Sequence, residues 1–423
     1  MTAVADPTTS TKSVRAYVPR TVVSVPCRRT SVVPPVRPGI ALARSAAVGF
    51  RLQCGGVGVW ALLAVVLAAT PLKASPAMIR LGYAGCQACH LSPQGRGLLT
   101  EYGKGIDDTH SARRGEYEHD ETRRRRLFHD LRLLTQLRSD LGAQPVRQPA
   151  AQLRAWYRNT TFLTERVRVS GTVSADVPAP ERQVTALQPL PSQPPVFVRQ
   201  ALLEISPRKN LYIALGRDTL PSGVEIADQA TYMRSRNGQG LTDVPTQVKL
   251  FWWTPRFQVV PYAFTPSGHE ARGFRTGGAG LLAETYLLGD RLATGMALRR
   301  SRNRTFDERF TGVYARLGMG RWGLLTEHDL VRREHRGVGG AASHQYTGYV
   351  QLFLYPTDWL VASIGAERLQ PDRPLDRSRW SLRPELSARL SPHVTLAASL
   401  RDEYAGVQRS TTLVVQLFLK TVD

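Results

Sequence analysis

Thiols are scarce in this chain. Only four cysteines occur among 423 residues, at positions 27, 54, 86 and 89. The first two fall in or before a leader-like stretch, so the mature chain would keep Cys86 and Cys89. Discarding every other thiol suits an oxidising compartment, where spare thiols are liabilities. No further cysteine pair follows, which excludes a structural zinc site with four cysteine ligands. Long apolar runs are missing too. The longest is GGVGVWALLAVVLAAT, Gly55 to Thr70, with an apolar core of about 13–16 residues. That suits the apolar region of a signal peptide and is short for a membrane-spanning helix. Acidic residues are outnumbered, 34 against 56 basic ones, for a formal charge of +22. Such a balance favours anionic partners or an anionic membrane surface. Nucleic acid is the weaker reading, because no nucleic-acid-binding motif accompanies the charge. No Ser-His-Asp constellation or metal cluster argues for hydrolysis.

What is present is that of a folded protein, 42% apolar and 21% charged. Arg44 and Arg51 supply a positive region before the apolar core. Small residues at Ser75 and Ala77, or at Ala74, offer cleavage positions. Residues 1–77 are therefore set aside as leader and signal peptide. The alternative is an anchoring helix that is never removed.

Just beyond lies Cys86-Gln87-Ala88-Cys89-His90. This C-x-x-C-H spacing is the attachment signature of a c-type haem. Each thiol can form a thioether to one vinyl group, and the histidine can give a ring nitrogen to iron. A thioredoxin-like redox pair would need a βαβ context, which is not seen here. Gly95, Gly97, Gly103 and Gly105 mark turns where backbone could pass close to a flat cofactor. The second axial ligand stays open between His129, His110, His119 and Met78. No methionine occurs between Met78 and Met233, which removes the familiar downstream methionine. Leu127, Leu131, Leu134, Leu137 and Leu141 recur at helical spacing, so a basic amphipathic helix over about 117–141 is expected, with His129 on it.

From about Arg166 the period changes to two. Trp380, Leu382, Leu386, Ala388 and Leu390 alternate with Ser381, Arg383, Glu385, Ser387 and Arg389. Val394, Leu396, Ala398 and Leu400 alternate with Thr395, Ala397, Ser399 and Arg401. Strands of about ten residues with charges in mid-strand fit a bilayer-crossing barrel with a wet lumen. Short connections at 206–210, 254–256, 289–290, 319–320, 356–358 and 391–392 alternate with long ones. Trp252, Trp253, Trp322, Trp359 and Tyr355 flank the short turns, where an aromatic girdle would lie. The expected fold is mainly β: a transmembrane antiparallel β-barrel of about 14 strands, or else 16, with a small N-terminal monohaem c-type cytochrome segment. The expected boundaries are 1–77 for the leader, 78–150 for the haem segment and 151–423 for the barrel.

With these features together, the chain resembles the porin–cytochrome fusions of bacterial outer membranes. The stretch Ile79 to Lys104, IRLGYAGCQACHLSPQGRGLLTEYGK, is similar to their monohaem segment. Gly216 to Gly240, containing LPSGVEI and TYMRSRNGQG, is similar to their early barrel. The resemblance implies one covalent haem c on Cys86, Cys89 and His90, and electron transfer across the outer membrane. It also implies an electron-transfer protein, in some members an iron(II)-oxidising oxidoreductase, set in outer-membrane lipid. Its partners would be a periplasmic electron carrier such as a soluble cytochrome and an extracellular donor or acceptor. Two other functions compete. One is a diffusion porin for small anionic solutes, favoured by Arg383 and Arg389, with a haem-bearing plug or sensor. The other is a soluble periplasmic cytochrome with a β-sandwich partner.

Overall fold

The computed structural model describes residues 76–95, 97–115, 126–141, 150–177, 196–226, 231–240, 243–267, 276–336, 342–371 and 378–421. Residues 1–75 of the expected leader and His119 lie outside the described residues.

Period-two patterning becomes strand along most of the chain. The strands are β1 Leu127–Asp140, β2 Ala150–Phe162, β3 Val167–Val177, β4 Val196–Arg208 and β5 Leu211–Arg217. They continue with β6 Thr246–Trp253, β7 Phe257–Thr265, β8 Gly277–Leu287, β9 Leu292–Arg302, β10 Phe306–Met319 and β11 Trp322–His335. The last are β12 Ala342–Leu354, β13 Leu360–Gln370, β14 Arg379–Ser391, β15 Val394–Ala405 and β16 Gln408–Lys420. Each pairs with its sequence neighbours, and β1 pairs antiparallel with β16, so the sheet closes into a 16-strand barrel with no free edge. No helix among the described residues is long and apolar enough to cross a membrane.

Two expectations need correction here. The strand count is the alternative of 16, not 14. The missing pair is β1 and β2, because the leucines expected on a helix lie on a strand. Leu127, Leu131, Leu133 and Leu137 share one face of β1, while Asp130 is buried on the other. Helical spacing loses because β1 satisfies two ladders at once: Leu137 opposite Val415 in β16, and Leu131 opposite Tyr157 in β2. Residues 127–140, expected with the haem segment, therefore form a strand of the barrel wall.

The wall alternates as a barrel must. In β10, Glu308, Phe310, Tyr314 and Arg316 are buried inside, while Val313 and Met319 are 51% and 44% exposed outside. Connections from even to odd strands are short, as at 209–210, 320–321 and 392–393, whereas most of those from odd to even strands are longer, above all between β3 and β4 and between β5 and β6. Trp252 and Trp322 face outward beside short turns. Tyr355, expected in that girdle, instead turns inward under the Arg80 guanidinium, 4.1 Å from its ring centre.

Candidate functional site

The Cys86–His90 motif lies inside the barrel. Its segment contacts walls on several sides: Arg80 donates to the Gly320 carbonyl, Arg168 to the Leu91 carbonyl and Arg158 to the Gly97 carbonyl. A short 3-10 turn, Cys86–Ala88, holds the cysteines, and the His90 amide donates to the Cys86 carbonyl at 3.0 Å. An isolated bridge between His90 and Leu99 folds the following loop back. Gly95 has φ +80°, and a Cβ there would sit 2.7 Å from Cys86 Sγ, so only glycine lets the loop approach the thiol.

The next element is helix α1, Glu101–Thr109, capped by Thr100, whose hydroxyl accepts from the Gly103 amide at 3.0 Å. Gly103 packs its bare Cα against the Cys89 carbonyl. The helix is pinned at its far end, where Asp107 is paired with both Arg389 and Lys420. Burial alone would raise the Asp107 carboxyl, but Arg389 and then Lys420 outweigh it and hold it below the usual carboxylate value. The described residues of the connection between β5 and β6, 218–226, 231–240 and 243–245, fill the lumen from the other end. They include helix α2, Tyr232–Arg236, with Tyr232, Met233 and Arg234 buried.

Cys86 and Cys89 are not joined in a disulfide. Burial pushes Cys86 up to about 11, with the Arg316 guanidinium opposing, and burial also raises Cys89. A catalytic redox pair needs the opposite shift, toward thiolate, so the thioredoxin-like alternative fits poorly. Burial pushes the His90 imidazole down to about 4, Arg132 adds to this, and Asp107 and the Gly97 carbonyl oppose. The ring is therefore neutral, the form that binds iron. Its buried Nδ1 makes no hydrogen bond. His90 is half-buried, and its charged neighbours Arg132 and Lys420 belong to β1 and β16. Inward-facing Leu134, Gln136, Trp156, Gln416 and Phe418 in this sector are only partly buried, whereas Tyr314, Glu327 and Tyr349 across the lumen are fully buried. Two thiols, a neutral imidazole with an unpartnered Nδ1 and a partly exposed wall of aromatic, leucine and glutamine side chains fit the residues a covalent haem requires.

The sixth-ligand candidates separate. His129 sits on the outer face of β1, against Tyr157 at 6.1 Å, and faces away from the lumen that holds His90. It is on a strand, not the expected helix. Met78 is buried in the lumen cluster with Tyr314 and Met233. His110 ends α1 with Nδ1 2.7 Å from the Ile106 carbonyl, which leaves the lone pair on Nε2. Burial lowers its pKa, with the Ile106 carbonyl opposing.

Arg383, Arg389 and Arg401 do face the lumen, as expected, but all are buried and paired. Arg401 lies 3.1 Å from Glu403, and Arg383 lies 3.8 Å from Glu385. Asp107, Gln94 and Lys249 escaped sequence reading. For Asp107 the signal was available: Thr100 as an N-cap announces the helix that carries it.

The chain matches no protein-family model, and no curated relative matches it. Solved structures are similar in fold. The outer-membrane expressed OmpT of Vibrio cholerae aligns with TM-score 0.54 at 11% identity, covering 70% of this chain and 97% of that one. The trimer form of in-vitro folded OmpT from Vibrio cholerae gives 0.53 at 10%, covering 70% and 99%. An anion-selective porin from Comamonas acidovorans gives 0.50 at 12%, covering 70% and 98%. At such identities the likeness is one of architecture: this chain has the closed β-barrel fold of outer-membrane porins.

Proposed function

We propose that the barrel sits in the bacterial outer membrane and carries electrons across it through one haem c, attached at Cys86 and Cys89 with His90 on iron. The observation that supports this most is the enclosure of a C-x-x-C-H motif within a barrel lumen filled from both ends. When bound, the haem would supply one-electron chemistry, its potential tuned by ligand, burial and hydrogen bonding. The chain's residues do the rest. The capped helix α1 and the Asp107 pairs fix the motif in the lumen. Arg132 and Lys420 face the His90 side, countered by their partners Asp130 and Asp107, and packed side chains exclude water from the opposite wall. Electrons would pass between a periplasmic carrier and an extracellular partner, such as iron(II) as donor.

A second reading is favoured by the fold likeness itself: a diffusion porin for small anions, with the N-terminal segment as a haem-bearing plug. One experiment separates the two. The protein is placed in liposomes loaded with an electron acceptor, and an impermeant reductant is added outside. Reduction inside that requires Cys86, Cys89 and His90 supports the conduit. Anion-driven swelling with no haem-dependent reduction would hand the case to the porin.

A further inference from the structure

We infer that the outer face of β9, β10 and β11, near the end with long connections, binds the phosphate groups of an anionic lipid. This rests on the outer-membrane placement proposed above and not on the haem.

Three arginines line up across adjacent strands. Arg309 of β10 stands opposite Arg300 of β9 on one side and Arg332 of β11 on the other, and Arg332 is opposite His344 of β12. All four are exposed. They face outward, because their strand neighbours Arg299, Glu308 and Val331 are buried in the lumen. Neighbouring strands lie about 4.8 Å apart, so this is a row of like charges in direct cross-strand opposition, an arrangement that destabilises a sheet.

The chain does little to neutralise the row. Glu334 reaches Arg332 at 2.9 Å, and Asp307 pairs instead with Arg336 at 3.2 Å. Arg300 and Arg309 make no ion pair among the described residues. Two other outer-face arginines at this end are matched within the protein. Arg409 pairs with Asp402 at 2.7 Å, and Arg368 stacks on Trp380 at 4.9 Å. A phosphate between Arg300, Arg309 and Arg332 would supply the missing charge through forked hydrogen bonds, which guanidinium groups suit.

The position argues for a lipid over a free anion. The next outward row is Leu298, Thr311 and Leu330 in the same register. Beyond it, Met296 and Val313 are 41% and 51% exposed. The arginines thus stand where an apolar band gives way to the rim, so one ligand with acyl chains and a phosphorylated headgroup would satisfy both.

The test uses the full-length protein and vesicles of phosphatidylcholine, alone or with diphosphorylated lipid A. Lipid retained on the protein is counted by native mass spectrometry. Wild type should retain the phosphorylated lipid preferentially, with affinity falling about fivefold for each arginine changed in Arg300→Gln, Arg309→Gln and Arg332→Gln. Arg309→Lys keeps the charge but loses the fork, so it should fall between wild type and Arg309→Gln. In phosphatidylcholine alone the triple variant should melt no lower than wild type, because repulsion is removed. Equal retention by the triple variant, equal protection by inorganic phosphate, or a lipid-independent oligomer through this face would overturn the inference. Failure to float with either vesicle would overturn the membrane placement as well.

Discussion

Gln94 and Glu225 meet inside the barrel, Nε2 of the first donating to Oε1 of the second at 3.4 Å. The first belongs to the haem-motif segment and the second to the long connection entering from the other end. Lys249 of the wall ties the joint, donating to Gln94 Oε1 at 2.7 Å and to Asp218. The lumen is thus spanned by two insertions that meet at a polar contact. In a simple diffusion channel the inward-facing side chains would meet water; here Lys249, Glu327 and Tyr349 are each 1% exposed.

Replacing both thiols, Cys86→Ala with Cys89→Ala, should abolish covalent haem, because neither thioether can form. A haem-stained denaturing gel reads this directly. A coloured band at the full-length position in the double variant would sink the assignment.

Asp107→Asn should loosen the N-terminal segment. The change leaves Arg389 and Lys420 buried without a full counter-charge, a defect that costs about 3 kcal/mol. Limited proteolysis should then cut within α1 while β2 to β16 stay protected. Cleavage no faster than in wild type would show that the pairs do not anchor the helix.

Acid should release the same segment only at low pH. Arg389 and Lys420 hold Asp107 below its ordinary value against the opposing effect of burial. A carboxyl depressed in the folded state contributes stability that is full above its unfolded pKa and is lost as pH falls through the folded value. Protection of α1 should therefore persist at about pH 5, begin to weaken only below about pH 4, and be lost as the pH falls further. Release already complete between about pH 5 and 6 would contradict this origin.

Gly103→Ala should disturb the motif more than its place in a helix suggests. Alanine favours helix, yet the new Cβ would collide with the Cys89 carbonyl, a backbone atom that cannot swing aside. The expected result is reduced haem attachment with the barrel intact, seen as a lower haem-to-protein absorbance ratio. Gly115→Ala is the control, with nothing within 4 Å of the added methyl, although its φ of +79° carries its own strain. Equal attachment in Gly103→Ala and wild type would remove the close-packing argument.

The sequence alone determined the motif, the period of two and most turns, because each is a property of near neighbours. Cys86, Cys89 and His90 need only their spacing, and Arg383, Arg389 and Arg401 reveal an inward face by alternating with apolar residues. Closure was decided elsewhere. Leu127 to Leu141 carries a spacing that suits a helix, and only pairing to β16 and β2 makes it a strand. The contents of the lumen were equally hidden. That Asp107 meets Arg389 across 282 positions, or that His129 faces outward while His110 is buried, depends on how far the closed wall brings distant segments together. Local periodicity cannot encode such distances, because they arise from the closure of the whole sheet.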